Sequence, residues 1–138
     1  MPKLSDRVQT FTDSVIRRMT RISDEHGAIN LSQGFPDFYP PKPILDALAK
    51  VAYEGPHQYS VTYGAENLRE ALARKASKAM QREIDPETQV VVTCGGTEAM
   101  MGVVMSICNP GDKIMVFSPF YENYSADAIL SGAEPIFI

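Results

Sequence analysis

The sequence predicts an α/β fold: a mostly parallel sheet covered by helices, with an N-terminal arm ahead of it. Two patterns and the composition carry that prediction. From residue 89 onward, short apolar runs alternate with helical stretches as β-α-β-α-β, joined by brief connections, an order that builds a parallel sheet with helices on its faces. Before residue 89 the apolar residues recur at spacings of three and four, the period of amphipathic helices. The composition, 138 residues with 44% apolar, 22% charged and a net charge of −4, is that of an ordinary soluble globular chain, long enough for one domain with a real core.

The elements follow in order. Residues 5–22 read as a helix, with Ser5 a candidate cap and Val8, Phe11, Val15, Met19 and Ile22 forming one apolar stripe. Gly27 closes it, and the piece 28–34 (AINLSQG) is extended. Four prolines bar regular structure from 35–43, FPDFYPPKP, while Phe35, Phe38 and Tyr39 favour an ordered loop packed against something. A helix over 43–53 opens on proline, where the missing amide costs nothing. Residues 55–64, GPHQYSVTYG, form a loop, and 65–82 a strong helix with Leu68, Leu72, Ala76 and Ala79 on its apolar face. A strand at 89–93 (QVVVT), a helix from Thr97 to Ile107, a turn at Asn109-Pro110-Gly111-Asp112, a strand at 113–118, a helix at 121–131 and a strand from Glu134 complete the alternation. The last strand leaves Ile136-Phe137-Ile138 at the terminus, a poor surface ending, and the reading expects more protein to follow.

Several function classes are disfavoured. The chain has no basic excess for a nucleic-acid surface, and Arg17, Arg18 and Arg21 are followed at once by Asp24 and Glu25, as on a solvated helix face. No long apolar run marks a leader or membrane anchor, so the expected setting is cytoplasmic. Cys94 and Cys108 lack metal-site spacing and read as buried reduced thiols. His26 and His57 have no Asp or Cys placed to form a relay, and no metal site is visible.

Chemistry concentrates in VVVTCGGTEAM, 90–100. A strand delivers the chain to Gly95-Gly96 at a helix start, where free amides, the positive end of the helix dipole and the Thr97 hydroxyl make an anion cup suited to phosphate. A tight turn without a ligand explains two glycines equally well. The spacing matches neither the dinucleotide fingerprint nor the P-loop, which disfavours nicotinamide and ATP enzymes. The segment SPFYENY, 118–124, lies past a strand end on the expected edge of the same sheet. There Tyr121 or Phe120 could cover a flat ring, with Tyr124 near it, or they could serve as core anchors. Tyr59 and Tyr63 stand in the loop QYSVTYG.

Taken together, INLSQGFPDF, HQYSVTYG-AENLREALA, VVVTCGGTEAM and NPGDKIMVFSPFYENY, in this order, closely resemble fold-type I pyridoxal-phosphate (PLP) enzymes of the class I/II aminotransferase family across essentially the whole chain. The resemblance implies PLP as cofactor, amino acids and 2-oxo acids as substrates, and a homodimer. It implies that residues 1–43 are an N-terminal helix and small-domain, substrate-pocket segment, and that 44–138 are the first part of a truncated PLP-binding large domain. Gly34 would line the substrate pocket near the substrate carboxylate, and Tyr59 would reach the phosphate of the neighbouring subunit's cofactor. Gly96, Thr97 and Glu98 would form the phosphate cup, Tyr121 would stack on the pyridine ring, and Tyr124 would lie close by. The family's Schiff-base lysine, ring-nitrogen aspartate, tyrosine near the ring oxygen and carboxylate-binding arginine lie downstream in relatives. None of the lysines here (3, 42, 50, 75, 78 and 113) occupies the matching motif. The resemblance therefore implies an N-terminal portion of an aminotransferase, inactive by itself. The same features allow a PLP-dependent lyase or synthase of this fold, or a stand-alone domain without cofactor.

Overall fold

A computed structural model describes residues 3–138. They form two compact units: the described residues up to Phe38 together with Ala99–Ile138, and Tyr39–Glu98.

The first unit carries the sheet. Strands β1 (Lys113–Val116) and β2 (Glu134–Phe137) pair in parallel, with Lys113 opposite Glu134 and Val116 opposite Phe137. A parallel pair needs a crossover connection. Helix α5 (Asn123–Leu130) supplies it and buries Ala128 and Asp127. Val116 and Ala133 complete the small core on the strand side, where Phe120 stacks on Phe137 with ring centroids 4.9 Å apart. The expected turn at 109–112 is present: Asp112 Oδ2 accepts the Asn109 N–H at 2.7 Å, and Gly111 takes φ +91°.

The N-terminal stretch is two elements where one helix was expected. Asp6–Val8 is a single 3-10 turn, and α1 runs from Val15 to Glu25. Between them lie Thr10, Thr12 and Asp13, side chains that compete with the backbone for hydrogen bonds. The helix restarts where Ser14 Oγ accepts the Arg17 N–H at 3.4 Å, so the working cap is Ser14 and not Ser5. Gly27, at φ +58°, closes α1 as expected, with the Ala28 N–H donating back to Ser23 O.

In the second unit, α2 (Lys42–Glu54) and α3 (Glu66–Met80) match the expected helices closely. The buried face of α3 does not. Leu68 and Leu72 are exposed, whereas Arg69 and Ala73 are buried. The exchange has a physical cause: the loops at 64 and 86–87 offer acceptors to the Arg69 guanidinium, so the helix turns that side inward. Gln81, at φ 52°, ends α3 in the left-handed conformation that glycine usually supplies.

The 89–93 segment does not form the expected ladder strand. Its backbone tie outside the local turn is the Val92 N–H to Tyr63 O, at 2.9 Å. A strand is defined by its partner, and among the described residues the sheet is limited to β1 and β2. Helix α4 (Gly95–Ile107) begins two residues before the expected start and continues from the second unit into the first.

The described residues bury less than composition suggested. A folded monomer of this mass exposes roughly 7,100 Å², whereas this chain exposes 11695 Å². Phe35, Phe38 and Tyr39 are exposed and do not anchor the proline-rich loop. Every residue of α2 is exposed too. Cys94 is exposed and Cys108 half-buried, contrary to the expected buried thiols, in a chain whose described residues build only a small core. Among the described residues no helix is long and apolar enough to cross a membrane.

Candidate functional site

The first part of the site is the entry to α4. Gly95 turns the chain at φ +76°, its N–H donating to Thr93 O at 2.8 Å while Thr93 Oγ1 donates to Gly95 O at 3.0 Å. A Cβ built on Gly95 or Gly96 would meet nothing within 4 Å. These glycines therefore leave open space in front of the helix, and Gly95 also needs its unusual φ. The amides of Gly96, Thr97 and Glu98 lie in the first turn of α4, the end at which a helix dipole favours an anion. All three residues are exposed. The Glu98 carboxylate turns back over the first turn to accept the Cys94 N–H.

Sequence reasoning placed Gly95-Gly96 ahead of the helix, but the structure makes them its first residues. A β-carbon added at either position would project into open space. The signal for this was already present, since a glycine that adopts positive φ can itself start the turn.

A second group of candidates lies beyond the C-terminal end of β1. Tyr121 and Tyr124 meet edge to face, with ring centroids 6.0 Å apart and planes at 80°. Both remain partly exposed. Phe120, the other candidate ring cover, stacks on Phe137. Glu122 ties this turn to the N-terminal segment of the same unit by accepting the Val15 N–H at 3.3 Å.

Tyr59 projects fully into solvent from its loop, at 101% relative exposure. Gly34 is exposed, and a β-carbon added there would meet nothing within 4 Å. His57 contacts the Val51 carbonyl at 3.2 Å, and His26 caps α1. Among the described residues no group of His, Cys, Asp and Glu could hold a metal ion. Cavities of about 380 Å³ near Phe11 and Ile129, and about 540 Å³ near Leu72 and Ile84, include no residue of the cup.

Sequence reasoning missed two buried charges. Arg69 on α3 is 4% exposed and Asp127 on α5 is 3% exposed, and neither is singled out by the sequence. An arginine close to Gly64 in sequence carries no local signal of burial, because its acceptors at 86 and 87 are brought in only by the fold.

The chain matches the family model "Aminotransferase class I and II" over residues 26–138. It is 35% identical over 119 residues to methionine aminotransferase of Escherichia coli, a match covering 86% of this chain and 31% of that protein. It is 31% identical over 137 residues to kynurenine–oxoglutarate transaminase 3 of Rattus norvegicus, covering 99% of this chain and 30% of that one. The solved structure of N-succinyldiaminopimelate aminotransferase from Mycobacterium tuberculosis superposes with a TM-score of 0.90 at 32% identity, over 99% of this chain and 35% of that chain. The chain thus spans about a third of the length of these relatives. The family match across most of the sequence and the α/β architecture agree, and the chain belongs to the aminotransferase class I and II family.

Proposed function

We propose that this chain is the N-terminal portion of a PLP-dependent aminotransferase that, in the intact protein, moves an amino group between an L-amino acid and a 2-oxo acid. The observation that carries the reading is the open entry to α4, where Gly95 and Gly96 leave room for a phosphate against first-turn amides. That cradle fits the phosphate arm of PLP, and an exposed tyrosine suited to covering a flat ring fits its pyridine. When bound, PLP supplies the electron sink for charge developing at the substrate α-carbon.

In this reading the amides of Gly96, Thr97 and Glu98 and the Thr97 hydroxyl donate to the phosphate. Glu98 keeps its carboxylate on the Cys94 N–H, which holds the first turn in shape. Tyr121 covers one face of the ring, and Tyr124 braces it edge-on. Gly34, without a side chain, leaves room beside the substrate carboxylate. Residues 1–43 contribute the substrate-pocket segment and 44–138 the first part of the cofactor-binding domain.

A homodimer follows from the same reading. Tyr59 stands free to reach a neighbouring subunit, and α2 presents Ile44, Leu45, Leu48, Val51 and Tyr53 without cover. The lysine that holds the cofactor and takes the α-proton is proposed to lie outside these 138 residues. Lys3, Lys42, Lys50 and Lys113 are paired with Asp6, Asp46, Glu54 and Glu134, respectively. The chain alone is accordingly proposed to be inactive.

The test is to incubate the intact protein with PLP, reduce it with borohydride and record its mass, then follow amino transfer from an amino-acid donor to a 2-oxo acid by mass spectrometry. One phosphopyridoxyl adduct and transfer of the amino group are expected, and a protein that takes up no adduct would sink the reading. Thr97→Ala in the same protein should weaken PLP binding about tenfold, the loss of one hydrogen bond to a charged group. An unchanged dissociation constant would remove Thr97 from the cup.

A further inference from the structure

Arg69 projects from the first turns of α3 into the interior of the second unit and is 4% exposed. Its Nε donates to Gly64 O at 3.1 Å, its Nη1 donates to Pro86 O at 2.8 Å, and the same Nη1 pairs with Glu87 Oε1 at 2.9 Å. These acceptors belong to two loops far apart in sequence. Gly64 is itself buried at φ +106°, and a Cβ there would stand 2.5 Å from Val92 Cγ2. The neighbouring Tyr63 carbonyl accepts the Val92 N–H at 2.9 Å. The contacts therefore run without a break from the guanidinium through Gly64 to Val92, three residues before Gly95.

We propose that Arg69 is a positioning residue for the phosphate cup. It holds the 63–64 loop at the distance that seats Val92, and Val92 sets where the chain enters α4 and presents its first amides. The inference rests on the PLP reading above. Arginine suits the task because its planar fork reaches acceptors in divergent directions while staying charged. A lysine offers one nitrogen and cannot reproduce the set. Arg69 is not placed in the cup, so its effect is exerted through geometry, to which a binding site responds steeply.

The experiment uses the intact apoprotein and two probes, PLP and inorganic phosphate as its competitor. In Arg69→Lys, both the PLP dissociation constant and the phosphate inhibition constant should rise about tenfold, while kcat at saturating PLP changes little. Glu87→Gln, at an exposed position that removes only the ionic arm, should shift both constants in the same direction by about twofold to threefold. Ala73→Gly, one turn along the same buried face, lowers stability without touching these hydrogen bonds and should leave both constants unchanged. Unaltered constants in Arg69→Lys and Glu87→Gln would overturn the proposal, as would an equal loss in Ala73→Gly. A wild-type protein that binds no PLP would instead bring down the functional reading beneath it, so the two failures are distinguishable.

Discussion

Gly64→Ala should destabilise the protein by about 2–4 kcal/mol, the largest effect expected of any single-methyl addition in this chain. Two costs coincide at this position. The backbone stands at φ +106°, where an L side chain is strained, and the added methyl would lie 2.5 Å from Val92 Cγ2 and 2.6 Å from Val92 Cβ. Neither atom is the far end of a flexible chain, so relief requires the 63–64 loop and the 90–93 segment to separate. That would stretch the Val92 N–H to Tyr63 O bond and the Arg69 contact to Gly64 O. Urea unfolding of the wild type and the variant measures the loss. Val92→Ala in the Gly64→Ala background removes the Cγ2 clash and leaves the Cβ clash, so it should recover only part of the deficit. A variant within about 0.5 kcal/mol of wild type would show that this loop is not seated as described.

Asp127→Ala should stabilise the protein by about 1–2 kcal/mol at neutral pH. Asp127 is 3% exposed on α5, and its Oδ2 has no hydrogen-bond partner among the described residues, as is true of the buried Ser131 Oγ. Burial pushes the Asp127 carboxyl up from its ordinary value of 3.8. The sign follows from linkage. A group whose pKa is raised on folding favours the folded state when protonated, so its contribution is fully present below the unfolded pKa and is lost as pH rises through the raised folded value. The wild type should therefore lose stability relative to Asp127→Ala on going from acid toward neutral pH, and the difference between the two melting curves should level off above the raised pKa. A difference independent of pH would mean that folding leaves the carboxyl's pKa unchanged. The alanine also suits the helix, being its best former.

The arginine and the aspartate mark where sequence reading ends. Period and punctuation made α2, α3, the 109–112 turn and the βαβ unit legible, because prolines, glycines and three-four spacing act locally. The sharp entry to α4 was legible for the same reason, since a glycine pair beside a helix start is a local statement about φ. The stacking of Phe120 on Phe137, a partner 17 positions away, had no local signal. The face of α3 was misread because Leu68 and Leu72 satisfy helical periodicity as well as any core residues, while burial of Arg69 depends on carbonyls supplied by other loops.

Sequence alone thus determined most of the local conformations, the α/β class and the family. Each of these depends on neighbours within a few residues or on motifs read in order. Only the tertiary structure decided that residues 89–93 join no ladder, that α1 starts at Ser14's cap, and which side chains are buried. Those outcomes depend on hydrogen-bond acceptors and apolar surfaces that approach from distant parts of the chain, and burial is a property of what comes to lie against a residue.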